Sequence, residues 1–87
     1  MDAEVITIDD EKVDLIKARL ISLGKVKFQL YALDYIIELI DNKYIIYPEQ
    51  YAKKNIKEYD SLEDILNLYH VYNENLLSNL NEISIID

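Results

Sequence analysis

Residues 25–48 read KVKFQLYALDYIIELIDNKYIIYP, and this stretch decides the fold. Val26, Phe28 and Leu30 alternate with Lys27, Gln29 and Tyr31, the pattern of a strand with one buried face. Ala32-Leu33-Asp34 reads as a short connection and residues 35–40 as a second strand. Asp41-Asn42-Lys43 reads as a turn, because Asp and Asn tolerate left-handed backbone. Residues 44–47 form a third strand, ended by Pro48, which has no N–H to give a sheet ladder. The expectation is a three-stranded antiparallel meander. Alternation sets Tyr35, Ile37 and Leu39 against Ile36 and Ile40, and Tyr44 and Ile46 against Ile45 and Tyr47. Both faces are therefore apolar or aromatic. One has to be covered by helices, the other by the rest of the chain or by a partner.

Upstream, residues 4–8 (Glu-Val-Ile-Thr-Ile) read as a short β-branched strand. Asp9 then suits a helix N-cap, with Asp10 and Glu11 placing negative charge at the positive end of the helix dipole. Val13, Ile16, Leu20 and Leu23 recur at helical spacing, and Gly24, the one glycine, follows as a natural stop. This predicts a helix over residues 10–23, with Leu15 and Ile21 off its apolar stripe. Downstream, residues 49–59 are polar, carry the basic cluster Lys53, Lys54 and Lys57, and read as a loop or a single helical turn. Ser61 and Asp64 make an acidic capping box for a short helix over residues 62–69, with Leu62, Ile65, Leu66 and Tyr69 on one face. Asn73 suits the cap of a further helical segment carrying Leu76, Leu80 and Ile83, while residues 83–86 look like a terminal strand.

The expected fold class is thus α+β. The meander packs against an N-terminal helix and short C-terminal helices, and the strands at 4–8 and 83–86 are added at the sheet edges or paired with each other. Eighty-seven residues, 51 % of them hydrophobic, suit one small domain over 1–87. Such a domain buries only roughly 60–65 % of the surface of its unfolded chain, so support from a homodimer or another partner is reasonable.

Composition limits the chemistry. With no cysteine, disulfides and thiolate metal sites are excluded. One glycine rules out the phosphate-cradling loops of nucleotide-binding proteins. One histidine, His70, and no elbow around any serine give no basis for a catalytic triad. The acids at 9–14 and at 60–64 lack the glycine and the alternation of a calcium loop, and sit where helix starts favour them. No catalytic, cofactor or metal role is expected. No secretory signal and no apolar run of membrane-spanning length is visible, and the expected location is cytoplasmic. Abundant Ile, Lys, Asn and Tyr suggest an AT-rich bacterial or phage genome.

The formal net charge is -8, and no lysine or arginine follows Lys57. A field of this sign repels nucleic acid and anionic membrane and draws in basic surfaces. The expectation is a non-enzymatic acidic protein-interaction module. Its sharper form is an inhibitor or regulator of a nucleic-acid-handling protein, with carboxylates mimicking phosphates. The candidate contacts are Glu58, Asp60, Glu63, Asp64 and Glu74, with Tyr59 and Tyr69 as aromatic anchors. The alternative is a structural domain that forms a homodimer through its tyrosine-rich sheet, since tyrosine joins a large apolar body to a polar tip.

Overall fold

A computed structural model describes residues 11–51 and 55–86 of the chain. The strand expected at 4–8, the cap at Asp9 and the lysines at 53 and 54 lie outside the described residues. Helix α1 (Glu11–Leu23) buries Val13, Ile16 and Leu20. It ends where expected: Gly24 adopts φ +79° and its N–H donates to the Leu20 carbonyl at 3.0 Å. The meander follows as β1 (Lys25–Leu30), β2 (Leu33–Ile40) and β3 (Lys43–Pro48). Opposed pairs include Val26 with Ile37, Phe28 with Tyr35 and Ile37 with Ile46. Two further strands extend the sheet: β4 (Lys57–Tyr59) beside β3, and β7 (Ser84–Ile85) beside β1. Among the described residues the sheet is five-stranded and antiparallel, in the order β4-β3-β2-β1-β7. Between its edges the chain forms α2 (Leu62–Leu68), a small hairpin of β5 (His70–Val71) and β6 (Glu74–Asn75), and a 3₁₀ segment over Leu77–Glu82. The fold is α+β, as the alternation and the helical stripes predict.

The core lies between the helices and one face of the sheet. Val26, Phe28, Leu30, Tyr35, Ile37 and Ile46 meet Val13, Ile16 and Leu20 of α1 and Leu62, Ile65 and Leu66 of α2. Leu76, Leu80 and Ile83 close it from the C-terminal segment. Each such side chain, fully buried, contributes about 1.5–3 kcal/mol. Ile36, Ile45 and Tyr47 lie on the opposite face, outside this cluster.

Four local readings are corrected. The first connection is the two-residue turn Tyr31-Ala32, with φ of +50° and +68°, and Leu33 and Asp34 belong to β2. Neither Tyr nor Ala announces a turn of this hand, which favours Asn and Gly. Leu23 is 67 % exposed, because the chain turns at Gly24 and leaves it beside Lys25 and Ile36 at a cleft rim. Residues 57–59 are a strand, not loop: Tyr59, Glu58 and Lys57 oppose Tyr44, Ile45 and Ile46. Asn73 caps no helix; it sits at φ +70° in the β5–β6 turn with Tyr72 at φ +54°. The capping role falls to Asn75, whose Oδ1 accepts from the Ser78 N–H at 2.9 Å.

Candidate partner-binding surface

The acids after Lys57 start on a sheet edge. Strand β4 puts Glu58 on the outer face opposite Ile45, and Tyr59 on the inner face opposite Tyr44. Asp60 follows directly, and Ser61 starts α2 from an extended backbone, its Oγ accepting from the Asp64 N–H at 3.1 Å. This cap places Glu63 and Asp64 in the first helical turn, where the exposed N–H groups favour negative charge. Glu58, Asp60, Glu63 and Asp64 therefore share one β4–α2 junction. Glu74 stands apart, exposed on β6.

Two of these carboxylates are partly neutralised. Lys43 Nζ donates to Asp60 Oδ1 at 2.7 Å, and Lys17 Nζ lies 3.4 Å from Glu63 Oε2. The Lys43 hydrogen bond and charge hold the Asp60 carboxyl below its usual range. Lys43 is raised in turn, by Asp60 first and by Glu58 as a further negative neighbour. Glu58 and Asp60 thus act on one ammonium. Both ion pairs are well exposed, and pairs of this kind are worth only about 0–1 kcal/mol. A cation of another molecule can displace either lysine at little cost.

The two tyrosines are placed differently. Tyr59 is half-buried against the core, and burial raises its phenol. Tyr69 ends α2, its N–H donating to the Ile65 carbonyl at 3.0 Å, and meets Tyr35 edge-on with centroids 6.3 Å apart. Burial, then Tyr35 and Tyr59, push its phenol up to about 12. Tyr59 and Tyr69 line a cleft of about 540 Å³ together with Pro48, Lys57, Leu68 and His70. His70 Nδ1 is 2.9 Å from the Leu68 carbonyl. A carbonyl only accepts, so Nδ1 carries the proton of this contact.

Among the described residues the aromatic side chains that reach furthest into solvent are two others, Tyr31 at 44 % and Tyr72 at 70 %. Tyr72 carries no periodic signal, since it sits in a turn between two-residue strands. Among the described residues no group of three or more His, Asp or Glu is placed to hold a metal ion. No described helix is long and apolar enough to cross a membrane. In comparisons with known proteins, no family model, no curated protein and no solved structure matches the chain.

Proposed function

We propose that the protein is a non-enzymatic acidic interaction module that binds a basic protein partner, and that it works in the cytoplasm. In its sharper form the partner handles nucleic acid, and the carboxylates occupy positions that phosphates would take. What supports the reading is the β4–α2 junction, where Glu58, Asp60, Glu63 and Asp64 follow one another on a strand edge and a capped helix start. A rigid frame lowers the entropy lost on binding, and the field of a chain of charge -8 steers basic molecules toward it. The test is association with a labelled deca-lysine peptide between about 50 and about 300 mM salt. Affinity should fall steeply across that range; salt-independent association overturns the electrostatic mechanism.

A homodimer through the sheet is the second reading. Ile36, opposed to Tyr47, and Ile45, opposed to Glu38, form a small apolar stripe on the sheet face away from the core. Sedimentation equilibrium decides it: a monomer at tens of micromolar removes the dimer.

A further inference from the structure

Two of the three two-residue left-handed turns among the described residues meet. Tyr31 opens the β1–β2 turn and Tyr72 the β5–β6 turn, and their rings lie with centroids 5.3 Å apart at 59°. Turns of two residues with left-handed φ at both positions favour Asn-Gly. A bulky side chain there is rare and costs about 1–2 kcal/mol. Here both turns open with tyrosine, at φ +50° and +54°. The Tyr31 hydroxyl is fixed by donation to Asn79 Oδ1 at 2.9 Å, and Asn79 is itself only 4 % exposed. Tyr72 has no such anchor and is the most exposed aromatic ring among the described residues. Tyr35, whose phenol is raised by burial and then by Tyr72, meets Tyr69 edge-on with centroids 6.3 Å apart.

The charge around this tip is unequal, with Lys12 the base on this side, its Nζ donating to the Leu80 carbonyl at 2.8 Å next to the Asn79 that holds Tyr31. No lysine or arginine follows Lys57, and Glu74, two residues past Tyr72, is exposed. Asp34, three residues past Tyr31, alternates with the inward Tyr35 onto the far sheet face, where it shares Lys27 with Glu49. Two tilted aromatic faces in a negative field suit a planar cation. Guanidinium stacks on such faces and keeps its in-plane N–H groups for carboxylates, which ammonium does less well.

We propose that Tyr31 and Tyr72, with Glu74 beside them, seat an arginine side chain of the basic partner. This rests on the reading above that the partner is basic, and adds which side chain is recognised and where. The strain in the turns is then the cost of holding two rings side by side in solvent, in keeping with local rules being broken at functional positions.

The test compares labelled deca-arginine and deca-lysine peptides by fluorescence anisotropy at fixed ionic strength. The wild-type protein should prefer deca-arginine by about fivefold, the size of one exposed cation–π contact. Tyr72→Gly suits the left-handed backbone and removes the ring. It should lower arginine-peptide affinity by about fivefold and leave lysine-peptide affinity within about twofold, erasing the preference. Tyr72→Asn, also tolerated at this φ, should do the same, and Tyr72→Phe should keep the preference. Circular dichroism checks that each variant is folded. An arginine preference that survives both Tyr72→Gly and Tyr72→Asn, or no preference in the wild type, overturns the seat. The quadruple variant E58Q/D60N/E63Q/D64N should weaken both peptides alike. If it changes neither while Tyr72→Gly erases the preference, the seat stands and the β4–α2 reading fails.

Discussion

Tyr31 donates its hydroxyl hydrogen bond to Asn79 across 48 residues of chain, and this one bond ties the tip of the β1–β2 hairpin to the 3₁₀ segment under it. Asn79 is buried and also donates through Nδ2 to the Asn75 carbonyl at 3.0 Å. Asn75 in turn caps Ser78. A buried amide with both ends used is costly to remove, because each abandoned partner keeps its desolvation cost.

Asn79→Ala should therefore destabilise the fold by about 1–3 kcal/mol, while Tyr31→Phe, which removes one donor, should cost about 0.5–1.5 kcal/mol. Urea denaturation followed by circular dichroism measures both. Equal and negligible effects would mean that the network carries no stability.

The left-handed positions give effects of opposite sign. A Cβ on Gly24 meets no atom within 4 Å, but φ is +79°. Gly24→Ala should cost about 1 kcal/mol from backbone strain alone. Ala32 sits at φ +68°, so Ala32→Gly relieves strain and should stabilise by up to about 1 kcal/mol. The same denaturation experiment reads both.

Phe28 is fully buried, opposes Tyr35 in the sheet and stacks on it with centroids 5.4 Å apart. Phe28→Ala should cost about 3–5 kcal/mol. Against a total stability of about 5–15 kcal/mol, that is a large fraction. A shift in thermal midpoint of only a few degrees would contradict this placement of the core.

Alkaline pH should destabilise the protein through its partly buried phenols. Tyr69 and Tyr47 are both pushed up to about 12, from 10.0, burial being the main cause in each; donation to Glu38 adds to it at Tyr47. The folded state then holds protons that the unfolded state releases. The stability this represents is complete below about pH 10 and is lost as pH rises toward about 12. Spectrophotometric titration of tyrosinate should lose a late component in Tyr69→Phe, and that variant should show a shallower loss of stability over the same window.

The parts of the fold readable in advance are those with a repeating pattern. Val26, Phe28 and Leu30 alternate, Val13, Ile16 and Leu20 recur at helical spacing, and each set lands in the core. Strands β5 and β6 have two residues each and β4 has three, too short for any period to register. Their pairing depends on partners distant in sequence, as Glu58 does on Ile45. The candidate site divides in the same way. The acids and the Ser61 cap are visible in the chain itself, since both are local chemistry. That Lys43 reaches Asp60 and Lys17 reaches Glu63 follows only from the packing of α1, β3 and α2. Tyr59 and Tyr69 are aromatic in the sequence, but their half-burial is set by Tyr44 and Tyr35 on neighbouring strands.

The most direct test of the account moves charge without changing its amount. E58Q/D60N/E63Q/D64N removes four carboxylates from the β4–α2 junction, and E11Q/D14N/E49Q/E82Q removes four exposed ones from elsewhere. Both variants carry the same net charge, so any difference between them reports location. The account predicts that binding of a labelled deca-lysine peptide falls by about tenfold or more in the first and by no more than about twofold in the second. Equal losses in the two would show that the negative charge acts as a diffuse field, with no binding surface at the junction.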